Sequence, residues 1–197
     1  MLRVVLTGSI ATGKSTVLAR FAECGIPVYS ADEAVHDLYA GEAAPLVETL
    51  FPGTVKDGVV DRKALSAAIA VEPGRMSELE EVIHPLVREK AVEFSDASEA
   101  AGAPLAVIEI PLFYETGSQY SIDRVIVTHC DPHIQRQRVL ARPAMNEKKL
   151  ELILSRQLTQ DEKRARADYA IDTSGTMDET IAATDAVIDR LRAEAGR

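Results

Sequence analysis

Eight residues, Gly8-Ser9-Ile10-Ala11-Thr12-Gly13-Lys14-Ser15, follow the pattern G-x-x-x-x-G-K-[ST]. This spacing suits one piece of chemistry, the holding of a nucleoside triphosphate by its phosphates. Gly8 and Gly13 let the backbone turn sharply, so successive N–H groups, through Ala11 and Thr12, can point inward at phosphate oxygens. Lys14 can reach the β- and γ-phosphates, and the Ser15 hydroxyl can ligate Mg²⁺. Thr16 closes the stretch where a helix begins, and the helix N-terminus adds partial positive charge. The motif says what is held and leaves open what is done with it.

Such a loop needs a strand before it and a helix after it. Leu2 to Leu6 reads as a buried strand. Ser15 to Cys24 reads as a helix with Val17, Leu18 and Phe21 on one face and Gly25 as its stop. A second short strand, Ile26 to Ser30, runs into Asp32, which is either a helix N-cap or a functional carboxylate. Ligands of open parallel sheets sit at the carboxyl ends of strands, where Asp32 falls. From Glu33 to about Ala101 the pattern is helical, interrupted by turn chemistry at Pro52–Gly58 and by Pro73-Gly74. Asp61 is placed to cap one of these helices, and Pro85 is expected to bend or divide the last.

Leu105 to Ile110 is the third strand. Glu109 inside it requires a partner, either a water-mediated Mg²⁺ contact or an ordinary salt bridge. Arg124 to Thr128 is the fourth strand. Pro132 opens a helix carrying Arg136, Arg138 and Arg142, in a chain that is otherwise acidic. These arginines are either a solvated face or a phosphate clamp, and Arg138 and Arg142 share a face at i,i+4 spacing. Pro143 breaks the helix and Asn146 can cap the next, as in a mobile lid. Ala167–Asp172 is the fifth strand, and Met177 onward is an amphipathic helix with Ile181, Val187, Ile188 and Leu191 inward.

The expected architecture is therefore an α/β, three-layer α/β/α domain with a five-stranded parallel sheet. Its nucleotide-binding core comprises residues 1–32, 102–138 and 158–197, its helical insert 33–101, and its lid 139–157. The 197 residues suit one domain with its own core. A net charge of −9 argues against a nucleic-acid footprint. Cys24 and Cys130 form no metal or redox motif. No signal peptide or membrane-spanning run is found, so a soluble cytoplasmic protein, monomer or weak homo-oligomer, is expected.

Taken in order, these residues resemble the dephospho-CoA kinase family, from the first strand to the last. The Leu6–Thr16 opening is similar to the family's Walker loop, and Ala31-Asp32 to the end of its Asp-Ala-Asp signature. Asp57-Gly58 with Asp61-Arg62 and Leu65 resembles another family stretch, and Leu79-Glu80-x-x-Ile83-His84-Pro85 a further one. Ile110-Pro111-Leu112-Phe113-Tyr114-Glu115 is similar to "P-L-L-F-E". Gln135, Arg138 and Arg142 fall at the family's spacing, as do Gln157, Lys163 and the Ala167–Asp172 tail.

The resemblance implies a P-loop kinase that phosphorylates the ribose 3′-hydroxyl of dephospho-coenzyme A with ATP and Mg²⁺. It implies Asp32 as general base, Arg142 as lid arginine assisted by Arg138, and the helical insert as acceptor site. His84, Pro111, Leu112 and Glu115 are its implied acceptor-binding residues. The chain departs from the family pattern at Ser30, Phe113-Tyr114, Pro143 and Thr173. Two competitors share the loop. A nucleoside monophosphate or small-metabolite kinase needs only the same scaffold. A nucleotide switch would use Asp172-Thr173-Ser174-Gly175 as D-x-x-G, but this follows the last strand and no N-K-x-D accompanies it.

Overall fold

The structure, a computed structural model, describes residues 1–117 and 120–196. In chain order the elements are β1 (Leu2–Gly8), α1 (Lys14–Glu23), β2 (Val28–Ser30), α2 (Ala31–Tyr39), α3 (Ala44–Leu50), β3 (Val55–Lys56), β4 (Val59–Val60) and α4 (Arg62–Val71). A single 3₁₀ turn at Pro73–Arg75 leads to α5 (Met76–Ala100), β5 (Leu105–Glu109), β6 (Arg124–His129), α6 (Pro132–Leu140), α7 (Glu147–Ser155), α8 (Gln160–Arg164), β7 (Tyr169–Asp172) and α9 (Met177–Ala195). They form two compact units, Met1–Tyr29 with Ser95–Arg197, and Ser30–Phe94.

The first unit is built on a sheet of strand order β2-β5-β1-β6-β7. β1 lies at its centre and pairs in parallel with β5 and β6, Leu6 standing opposite both Glu109 and Ile126. β6 pairs in parallel with β7. All five residues of β5 are buried, which is why its sequence is an apolar run and not an alternation. The chain builds outward from β1 through β5 and β2 on one side, then returns to build β6 and β7 on the other. The reversal opens a crevice past the carboxyl end of β1, where such sheets bind ligands. The five strands and the α/β class expected from the sequence are those found.

Val4, Leu6, Val107 and Ile126 of the sheet pack with Val17 and Phe21 of α1 and with Val187, Ile188 and Leu191 of α9. α1 ends in a Schellman turn. The Ile26 N–H donates to the Phe21 carbonyl and the Gly25 N–H to Ala22, with Gly25 at φ 75°. Arg20 clamps Asp185 of α9 through two hydrogen bonds of 2.7 and 2.9 Å.

The second unit holds α2, α3, α4 and most of α5 around Leu38, Val47, Phe51, Leu65, Leu79 and Ile83. Its compact span is Ser30–Phe94, against the 33–101 expected for the insert; the last turns of α5 group with the sheet unit. The Pro52–Gly58 turn region contains an antiparallel hairpin of β3 and β4. Asp57 and Gly58 at its tip both have positive φ, as a two-residue hairpin turn requires. Arms of two residues are too short to register as alternation. Asp61 caps α4 as expected, accepting from Lys63 and Ala64 N–H. Pro85 does not divide α5. It lies on an exposed face, so water can satisfy the Glu81 carbonyl that its missing N–H leaves unpaired.

Candidate functional site

The phosphate loop follows β1 and opens α1, as its motif demands. Gly8 is fixed by close approach, since a Cβ there would lie 2.7 Å from the Thr128 carbonyl and 2.8 Å from Thr12 Oγ1. Gly13 sits at φ 83°, a conformation that side chains resist, directly before the first helical residue. Thr12, fully buried, shares a 2.8 Å hydrogen bond with Thr128 of β6 and donates to the Ser9 carbonyl or to that partner in turn. Lys14 Nζ donates to the carbonyls of Gly8 (3.0 Å) and Ser9 (3.1 Å), lying back across the loop.

A cavity of about 470 Å³ opens over this loop, lined by Ala11 to Thr16 together with Arg138, Arg142, Thr173 and the start of α9. Arg138 is anchored there. Its guanidinium donates to the Thr173 hydroxyl (3.1 Å) and carbonyl (2.6 Å). Thr173 Oγ lies 3.1 Å from the Thr12 carbonyl and 3.2 Å from that of His129. One residue after β7 thus ties an arginine to the loop, and this accounts for threonine at that departure from the family pattern. Burial pushes the neighbouring Cys130 thiol up, so it stays a neutral, packed side chain.

Arg142 lines the same cavity but is exposed, and no hydrogen bond or ion pair engages its guanidinium among the described residues. The sequence placed it one turn beyond Arg138 on a common helix face. The helix instead ends at Leu140, capped by Ala141, and Arg142 stands in the following turn. Pro143 explains this, because a residue before proline is pushed out of helical geometry. The two arginines meet at the cavity without sharing a helix. Ser15 is exposed in the first turn of α1, with no hydrogen bond on its hydroxyl among the described residues.

Glu109 closes β5, 5% exposed and level with Leu6. Beyond it, Pro111 and Leu112 are half-buried, and Thr7 Oγ donates to the Pro111 carbonyl. Glu115 makes a 2.8 Å ion pair with Lys163, whose side chain is fully buried, and accepts from the Leu158 N–H. Lys163 also reaches the Pro111 carbonyl at 3.4 Å. The carboxylate therefore braces the Pro111–Glu115 segment against α8.

Asp32 and His84 belong to the other unit. Asp32 is not the cap of α2. Ser30 caps it, accepting from the Glu33 N–H, while Asp32 is the second helical residue, exposed, its carboxylate unengaged among the described residues. Serine in place of the family's first aspartate therefore has a structural use. His84 is exposed on α5.

Comparison with known proteins turns this geometry into an assignment. The model of the CoaE family, Dephospho-CoA kinase, matches residues 2–179. A dephospho-CoA kinase of Rhizobium meliloti is 50% identical over 193 residues, covering 98% of this chain and all of the relative. The chain belongs to the dephospho-CoA kinase family. A dephospho-CoA kinase of Mesorhizobium japonicum, also 50% identical, matches over 196 residues and the full length of both chains. The solved dephospho-CoA kinase of Campylobacter jejuni superposes with a TM-score of 0.75 at 26% identity, covering 98% of each chain.

For a dephospho-CoA kinase family member the sequence left several cavity residues unmarked. Thr173 was noted as a departure and, with Gly175, as part of a D-x-x-G set aside with the switch reading, and Thr176 and Thr180 carry no motif signal, yet all line the cavity. Their one legible feature is position, just past the carboxyl end of a strand.

Proposed function

We propose that this chain transfers the γ-phosphoryl group of ATP to the ribose 3′-hydroxyl of dephospho-coenzyme A, giving coenzyme A and ADP, the last step of coenzyme A biosynthesis. The supporting observation is the single cavity that gathers the Gly8–Ser15 loop, Arg138 and Arg142. In phosphoryl transfer a protein mainly positions groups and neutralises charge. The loop N–H groups and Lys14 hold the ATP phosphates. Arg138, anchored on Thr173, faces the nucleotide from a fixed position. Arg142, unengaged and in the first turn of the 139–157 lid after α6, closes over the transferring group and helps exclude water.

Mg²⁺ supplied with ATP would be held by the Ser15 hydroxyl, with Glu109 acting through water, and would supply charge neutralisation at the phosphates. The donor set fits such an ion. Ser15 offers one hydroxyl at the cavity, and Glu109 a carboxylate through water. Among the described residues no cluster of three or more His, Cys, Asp or Glu is placed to hold a metal. Mg²⁺ characteristically takes one or two protein ligands plus phosphates and waters.

Asp32 accepts the proton of the attacking ribose hydroxyl. Its carboxylate is free to do so because Ser30 supplies the helix cap. The helical unit with His84, and the segment Pro111 to Glu115, receive the acceptor. Glu115 contributes by holding Pro111 and Leu112 in place. No helix among the described residues is long and apolar enough to cross a membrane. A cytoplasmic location and a monomer or weak homo-oligomer complete the reading. An ADP-coupled assay across dephospho-CoA, nucleoside monophosphates and simple sugars tests it. Turnover with dephospho-CoA alone is the expected result, and equal turnover with a nucleoside monophosphate would overturn the assigned acceptor.

A further inference from the structure

Ile10 sits at the crest of the phosphate loop, and both of its backbone polar groups are taken by glutamine side chains. Its N–H donates to Gln157 Oε1 at 3.1 Å. Its carbonyl accepts from Gln135 Nε2 at 2.8 Å. Gln135 Oε1 accepts from Gln160 Nε2 at 3.0 Å, and Gln160 Oε1 accepts from the Cys130 N–H at 2.8 Å. The direction of this relay is set by its ends. A backbone carbonyl can only accept and a backbone N–H can only donate, so both intervening amides have one orientation. Gln135 is 5% exposed, which makes a broken link costly.

The contacts join the loop to both ends of the lid. Gln135 lies on α6, before the lid, and Gln157, past α7, is the lid's last residue. Ala11, Val139 of α6 and Leu150 of α7 form a small apolar cluster, with Ile10 and Met145 packed against it. Ala11 itself has φ 59°, uncommon for a residue with a Cβ. No described peptide bond is cis, and in a trans peptide the C=O and the next N–H point in opposite directions. Gln135 lines a second cavity, with Ser9, Gln157 and Gln160, while Ala11 lines the phosphate cavity. Drawing the Ile10 carbonyl toward Gln135 therefore turns the Ala11 N–H away from that side.

We propose that Gln135 and Gln157 are positioning residues that lock the crest of the loop: Gln135 holds the Ile10–Ala11 peptide, keeping the Ile10 carbonyl off the phosphates and the Ala11 N–H available to them, and Gln157 holds the adjoining Ser9–Ile10 peptide. Without Gln135, rotation of the Ile10–Ala11 peptide releases Ala11 from its left-handed conformation and turns a carbonyl dipole toward an anion. The lock also makes the loop's shape depend on how the lid's two ends are seated. This deepens the kinase reading and rests on it for the nucleotide alone.

The test exploits the opposite polarity of the two glutamines. Gln157 acts as an acceptor, so Gln157→Glu keeps its function while Gln157→Met loses it. Gln135 must donate to Ile10, so Gln135→Glu and Gln135→Met both lose it. ATP and Mg²⁺ are titrated into the full-length chain by calorimetry, with thermal melting to check folding. We expect wild-type-like ATP affinity in Gln157→Glu and roughly tenfold weaker binding in Gln135→Glu and Gln157→Met, the scale of one unsatisfied buried group. The KM for ATP rises with the dissociation constant, while kcat changes less. Equal ATP affinity in all the variants, or Gln157→Glu as impaired as Gln157→Met, overturns the lock. A folded wild-type chain that binds no ATP would defeat the kinase reading instead.

Discussion

Lys14 and Arg142 face the same cavity in different circumstances. Lys14 is tethered to the Gly8 and Ser9 carbonyls, and Arg142 is unengaged among the described residues. In the proposed mechanism the tethered cation holds the bound phosphates, and the unengaged one meets the charge that develops in transfer. Lys14→Ala should weaken ATP binding and abolish turnover, as read by calorimetry and a coupled assay; normal activity would remove the loop from the mechanism. Arg142→Ala should leave the acceptor KM near wild type and lower kcat by about 10³-fold or more. An effect confined to the acceptor KM would instead place Arg142 in acceptor binding. Asp32→Asn should keep both substrates bound and lose most of kcat; a rate within a few-fold of wild type would show that its carboxylate does no proton chemistry. At this scale the loop was legible because backbone chemistry fixes its spacing. The Arg138–Thr173 anchor and the glutamine relay were not, since they depend on residues far apart in sequence that only the sheet order brings together.

Elements carry their own tests. α8 is pinned by a buried pair, with Lys163 fully buried and Glu115 12% exposed. Lys163→Met strands a carboxylate and should cost about 3–5 kcal/mol of stability, measured by denaturant unfolding. The double variant with Glu115→Leu should recover much of it; no recovery would mean that the pair's charge is not what matters. Asp61 caps α4 and binds Lys56 at 2.7 Å, and the Lys56 ammonium with the capped N–H groups holds its carboxyl down at about 2. A folded-state value below the unfolded one means stabilisation that is present above about pH 4 and lost as pH falls toward 2. Asp61→Ala should therefore lower the unfolding midpoint at pH 7, and the gap should close in acid; a pH-independent gap would contradict the cap. The sequence showed this cap and the strands, because apolar runs and capping residues are local signals. It missed where α6 ends and the β3–β4 hairpin, where one proline and a two-residue turn outweigh periodicity.

On the scale of the molecule, the parallel sheet with β1 at its centre explains why one loop can organise the chain. The order β2-β5-β1-β6-β7 gathers the ends of β1, β6 and β7, so Gly8, Thr128 and Thr173 lie in one hydrogen-bonded neighbourhood. That arrangement specifies a phosphate donor and is shared by kinases of many acceptors. The acceptor is the finer claim, carried by family membership and by an ordered set of weak motifs such as His84-Pro85 and Pro111-Leu112. The direct measurement is ADP formation by the full-length chain with ATP and Mg²⁺, in the presence and absence of dephospho-CoA, with the product analysed for coenzyme A. The account predicts little ADP without acceptor, and one coenzyme A for each ADP with it. ADP formation unchanged by dephospho-CoA, or ADP without coenzyme A, would contradict it.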